Sequence, residues 1–195
     1  TFTSRAMLKR AVGKCLTLSP KGDSSGGRNG PIADWRVSRI TNMDKLFNDA
    51  SFFNADISKW DVSRVTSMSA IFAGATSFNG DISKWDVSKV TIMTRMFSSA
   101  TSFNADISKW DVSKVTNMQR MFDSASTFTS DISKWDVSSV TNMHSMFRLA
   151  ISFNNDISKW NVSRVTNMEE MFSGASSFAQ TLCGEWQTSA AIKDK

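Results

Sequence analysis

Asp56-Ile-Ser-Lys-Trp60 returns letter for letter at Asp81–Trp85, Asp106–Trp110, Asp131–Trp135 and Asp156–Trp160, an unbroken spacing of 25 residues. A degenerate copy ends at Trp35, and another at Trp186 arrives one residue late. A fixed period of this length is the signature of a stacked repeat, in which each unit buries its apolar face only against its neighbours. The repeat predicts one elongated domain, where 195 residues alone would suggest one or two compact ones.

Aligned on this stretch, the chain becomes columns. Phe occupies 47, 72, 97, 122, 147 and 172, and again 53, 78, 103, 128, 153 and 178. Met runs from Met43 to Met168, followed three residues later by Leu46, Ile71, Met96, Met121, Met146 and Met171. These columns hold most of the 14 Phe and 11 Met, which makes them core; a promiscuous methionine-lined groove is the rarer use of such a stripe. Met68, Ile71, Phe72 and Ala75 follow the i, i+3, i+4, i+7 pattern of one helix face. Thr66 stands where it would cap that helix, and Thr166-Asn-Met-Glu169 matches a capping box. Gly74 and Gly174 suit its end.

The other half of each unit reads as extended chain, since Ile57, Trp60, Val62 and Val65 are β-formers. A bend between Ser58 and Trp60 would turn Ile57, Trp60 and Val62 inward and leave Asp56, Ser58, Asp61 and Ser63 outside. The alternative exposes the Trp column as a row of rings. Strands stack at about 4.8 Å and packed helices at about 8–10 Å, so the two sides force curvature. The expectation is an α/β repeat solenoid, a leucine-rich-repeat-like right-handed arc with short parallel strands on its concave face and short helices on its convex face.

The pattern Val-Thr-Asn-Met-x-x-Met-Phe-x-x-Ala-x-Ser-Phe-Asn-x-Asp-Ile-Ser-x-Trp-Asp-Val-Ser, read at Val115–Ser138 and Val140–Ser163, closely resembles the BspA-like surface-protein repeats. The resemblance covers residues 32 to 180. It implies a secreted or surface-anchored protein acting in adhesion or recognition, and it brings no catalytic residues with it.

Outside that span, residues 1–31 read as a capping helix plus a Gly/Ser-rich connector, and residues 181–195 as a degenerate terminal repeat. Leu8, Ala11, Val12, Cys15 and Leu16 make an apolar stripe suited to covering the open end of the stack. A basic amphipathic helix on a membrane surface is the alternative. Cys15 and Cys183 lie at opposite ends, roughly 25–30 Å apart at strand spacing. A disulfide needs Cα atoms within about 7 Å, so none is expected between them. The chain begins at Thr1 without a methionine or a signal region, which reads as a mature form or an excised piece of a longer chain. No apolar run is long enough to span a bilayer. The net charge of +5 is spread and matched by acids, which does not suggest nucleic-acid binding.

The outward columns are the candidate ligand-binding site: Asp56, Ser58 and Asp61; Asp81, Ser83 and Asp86; Asp106, Ser108 and Asp111; Asp131, Ser133 and Asp136; Asp156 and Ser158. Like charges about 5 Å apart in water repel by roughly 0.8 kcal/mol, and the neighbouring Lys59, Lys84, Lys109, Lys134 and Lys159 offset this. Calcium held between the carboxylates, or ice or mineral on the hydroxyl rows, is the alternative reading. The Asn54, Asn79, Asn104 and Asn154 column reads as an internal ladder bonding turn backbone. His144, the sole histidine, falls at a variable position of the expected helix and reads as a solvated site. Asn161-Val-Ser163 is a glycosylation sequon. With no nucleophile–base pair, phosphate loop or metal cluster, the expectation is a non-enzymatic extracellular or cell-surface module without cofactor, binding a protein or glycan.

Overall fold

The structure, a computed structural model, describes residues 1–23, 27–184 and Trp186. Helix α1 spans Arg5–Leu18 and starts where the Ser4 hydroxyl accepts the Met7 N–H at 3.3 Å. Its buried face is Leu8, Ala11, Val12 and Cys15. A single 3₁₀ turn follows at Ile32–Asp34. From there the chain stacks in successive 25-residue units, linked by isolated parallel bridges at Asn42, Ser67, Ile92, Asn117, Asn142 and Asn167.

The expected α/β arc of parallel strands and convex helices does not form. Among the described residues there is no strand, and no α-helix lies within the 25-residue units. The reason lies in the backbone of Met68–Ala75. Ala70 and Gly74 are left-handed, at φ 52° and 71°, and the same two positions are left-handed in every unit from Lys45 and Asp49 to Glu170 and Gly174. A left-handed residue every fourth position stops an α-helix before its second turn. The N–H groups of Ile71, Ala73 and Ala75 bond back to Met68, Ala70 and Phe72 at 3.0–3.3 Å. Those of Met68, Ala70, Phe72 and Gly74 point along the stack to the carbonyls of Ile92, Thr94, Met96 and Ser98, at 2.8–3.0 Å. Alternate peptides thus close turns within a unit and ties between units, so every N–H from Met68 to Ala75 finds an acceptor without a regular element, that of Ser69 on the Asp44 carboxylate.

The extended half is also turned. Trp60 N–H bonds Ile57 O at 3.1 Å, and Val65 N–H bonds Val62 O at 2.8 Å. Two reverse turns in a row put Ile57, Trp60, Val62 and Val65 inside, all buried. The Thr66 hydroxyl caps nothing in its own unit. It donates to Thr41 O at 3.2 Å beside the Thr66 N–H at 2.8 Å, and the column repeats this to Thr166.

The interior is a continuous aromatic ladder. Within a unit the two Phe rings stack face to face, 3.7–4.1 Å between centroids. From unit to unit the first Phe column steps by 5.5–5.9 Å. The Trp column is buried rather than exposed, and from Trp60 to Trp160 each indole N–H is satisfied by the previous unit: Trp60 donates to Ile32 O at 2.9 Å and Trp110 to Ile82 O at 3.1 Å. A buried indole without such a partner would carry the cost of an unmade hydrogen bond, about 1–3 kcal/mol.

Among the described residues at the start of the stack, no preceding unit donates to the carbonyls of the first one, and α1 supplies a donor in its place. The Arg5 guanidinium donates to one of them, Asp44 O, at 2.6 and 3.2 Å. At the far end, Trp186 is buried with its ring 6.5 Å from both Trp160 and Phe172. The rest of the expected terminal repeat beyond Gly184 lies outside the described residues, as do residues 24–26 of the connector. Cys15 is buried and Cys183 exposed, both as free thiols.

Candidate functional site

The Asp and Ser columns come together as rows of turns, not as a strand face. Each Asp-x-Ser is a local turn in which the carboxylate oxygen accepts the backbone N–H two residues on. These bonds are 2.9–3.0 Å at Asp56, Asp81, Asp106, Asp131 and Asp156. They are 3.0–3.1 Å at Asp61, Asp86, Asp111 and Asp136. The serine hydroxyl donates to the same oxygen at Asp61, Asp81, Asp86, Asp106 and Asp111, at 2.6–2.7 Å. Local side-chain to backbone bonding of this kind is what makes Asp and Ser turn residues. The aspartates and the Lys59, Lys84, Lys109, Lys134 and Lys159 row are exposed; Ser58, Ser83, Ser108, Ser133 and Ser158 are half-buried.

These bonds act on the charge. In Asp56, Asp81, Asp86, Asp106, Asp136 and Asp156 the serine hydroxyl, and after it the serine N–H, holds the carboxyl below its ordinary range. In Asp131 the Ser133 N–H leads and the hydroxyl follows. The neighbouring lysine adds to the effect at all of these except Asp136, while Asp56 and Asp106 push back on Asp81 and Asp131. A carboxyl depressed on folding contributes stability above its unfolded value and loses it as pH falls through the folded value. The rows are therefore expected to weaken the fold progressively below about pH 4, the ordinary aspartate range. Column 61 suggests the check, since Asn161 keeps the turn acceptor without the charge. Urea midpoints at pH 5 and pH 3 should differ less in an Asp86→Asn/Asp136→Asn protein than in the parent; an unchanged difference would refute the assignment.

The rows have limited chemistry of their own. Among the described residues no group of three or more His, Cys, Asp and Glu side chains is close enough to hold a metal ion. Several serine hydroxyls already donate to carboxylates, so they do not present a free hydroxyl lattice. The Asn column does bond the next unit's backbone, with Asn79 N–H on Asn54 Oδ1 at 2.9 Å and Asn104 N–H on Asn79 Oδ1 at 2.8 Å. It lies on an exposed edge, not inside.

Two features escape the column reading. Ala33–Ser38, with Lys59 and Asp61, line an open cleft of about 460 Å³ where the degenerate copy meets the first full unit. Arg36 stands there in the position that Asp61 takes one unit on, and that departure was the available signal. On the turn edge, buried Asp123 pairs with Arg148, Nε to Oδ1 3.2 Å and Nη2 to Oδ2 3.2 Å, opposite charges one period apart in a single column. Beside them His144 meets Ser145 Oγ through Nε2 at 3.2 Å and Glu169 through Nδ1 at 3.9 Å, and Ser145 Oγ also donates to Glu170 at 3.2 Å. Ser145 is fully buried, so this serine–histidine contact is closed to a substrate and works as a clamp between units.

A family model described as "Mycoplasma protein of unknown function, DUF285" matches residues 23–126 and again 102–195. No curated protein and no solved structure matches the chain. The two overlapping matches follow the internal repeat and do not single out the BspA-like family.

Proposed function

From the premise that the chain belongs to the DUF285 family, whose description assigns no activity, we propose a non-catalytic recognition module. It acts outside the cell or at its surface and binds a protein or glycan through the exposed Asp/Ser/Lys rows. The observation that supports it most is the division of labour in each unit. Ile, Trp, Val, Met and Phe are consumed by the core, and the Asn and Thr columns by ties between units. Asp and Lys are held outward on turns that need no partner from elsewhere. A scaffold that fixes exposed charges at a constant step is preorganised for a repetitive ligand, which reduces the ordering cost of binding. Among the described residues no helix is long and apolar enough to cross a membrane.

The test is a glycan array probed with the purified protein at low and high salt, with calcium and with chelator. Salt-resistant binding to a narrow set of sugars, weakened at least tenfold by Asp81→Asn/Asp106→Asn/Asp131→Asn in a protein that is still fully folded at the assay temperature, is the expected result. Binding that vanishes in salt, or that ignores the triple substitution, would remove the glycan version and leave a protein partner as the form to pursue.

A further inference from the structure

We propose that Asn161 is an acceptor for N-linked glycan transfer, a modification site on the same turn row; the proposal rests on the extracellular part of the functional reading. The position is singular. Columns 61, 86, 111 and 136 carry Asp-Val-Ser, and only the copy at 161 carries Asn-Val-Ser, which is also the chain's single Asn-x-Ser/Thr sequence. Asparagine is frequent elsewhere in the repeat, but there it is followed by Asp, Met, Ala, Gly or Asn and never by a hydroxyl residue two positions on.

The geometry adds what the sequence lacks. Asn161 Oδ1 accepts the Ser163 hydroxyl at 2.6 Å and the Ser163 N–H at 3.1 Å. Both bonds polarise the carboxamide through its oxygen and leave Nδ2 without an acceptor among the described residues. Asn161 and Ser163 are exposed, as are Lys159 and Arg164 on either side, so a bulky glycan would point into solvent without disturbing the stack. The turn involves only residues two apart, so it can form on a nascent chain before the units close. The same turn at Asp61, Asp86 and Asp111 shows that it belongs to the local sequence rather than to this unit's packing.

The transfer is balanced with one co-reactant, an oligosaccharide carried on a lipid pyrophosphate. Asn161 Nδ2 attacks the anomeric carbon, a new C–N bond forms, and the anomeric C–O bond to phosphate breaks. The lipid pyrophosphate leaves with the electron pair, and one amide proton passes to the transferase. Nothing is oxidised or reduced.

The experiment is secretion of the full chain from a eukaryotic host behind a signal peptide, followed by peptide mass spectrometry before and after glycan release by an amidase, which leaves Asp in place of a glycosylated Asn. Wild type should carry a glycan at 161. Asn161→Asp, which restores the column residue, and Ser163→Ala, which keeps the amide, should carry none and melt as the deglycosylated parent does. Secreted, folded wild type with unmodified Asn161 would overturn the proposal and leave the recognition reading standing. A glycan at 161 on a protein that fails every binding test would do the reverse.

Discussion

Phe97→Ala is expected to cost about 3–5 kcal/mol, the range for deleting a buried aromatic ring, and to lower the denaturant midpoint more than the same change at Phe172. Phe97 is fully buried and sits between units on both sides. Its ring is 3.7 Å from Phe103, 5.7 Å from Phe72 and Phe122, and 6.3 Å from Trp110. Its removal opens a cavity bounded by stacked rings whose backbones are tied to both neighbours, so the site has little room to collapse. Phe172 is only partly buried at the end of the ladder. In a stack whose stability is a sum of unit and neighbour terms, a central lesion weakens two interfaces and an end lesion about one. Equal losses at the two positions, or a loss below about 1 kcal/mol at Phe97, would mean that the ladder is not what couples the units.

The inside-outside pattern was legible because burial leaves its mark on residue type. The Phe, Met, Trp, Ile and Val columns are buried where the alignment puts them, and the Asp and Lys columns are exposed. What was not legible was the backbone that places them there. Met68, Ile71, Phe72 and Ala75 suit a helix face, but a run of turns with left-handed residues at 70 and 74 buries the same four. The column at 70 contains Lys45, Ala70, Arg95, Arg120, Ser145 and Glu170, none of them glycine, so nothing in it announces a positive φ. The weaker signal was the other column, where Gly74 and Gly174 share a position with Asp49, Ser99, Ser124 and Leu149. Two glycines in register say more about φ than about a helix end. The Asp-x-Ser rows were seen as a surface, but their turns were hidden by reading Ile57–Val65 as a strand. The clamp at His144, Ser145 and Glu169 depends on contacts between adjacent turns that no single column displays.

Substitutions at Ser99 discriminate most sharply between that backbone and a helical one. Ser99 has φ 58°, is exposed, and donates its N–H to Asp123 O at 2.7 Å. In a helix, Ser99→Gly would destabilise, because glycine is among the poorest helix formers. Here glycine relieves a left-handed L-residue, worth about 1–2 kcal/mol, and gives back about 0.4–1 kcal/mol through the looser unfolded chain. The expected net is a gain of up to about 1.6 kcal/mol. Ser99→Val runs the other way: a β-branched residue is a steric outlier at positive φ, and a loss of about 1–3 kcal/mol is expected. A helix would charge valine only a few tenths, within its propensity scale. Because the side chain is exposed, neither change opens a cavity, and the sign of the glycine effect decides the matter. A glycine variant less stable than wild type, beside a valine variant nearly equal to it, would restore the helix and with it an axis of i→i−4 bonds in place of the ties from Phe97 to Met121 and from Ser99 to Asp123. The expected order, glycine above serine above valine, would instead show that each unit spends its alternate N–H groups on the next one, which is what lets so short a repeat hold an exposed charged row at a fixed step.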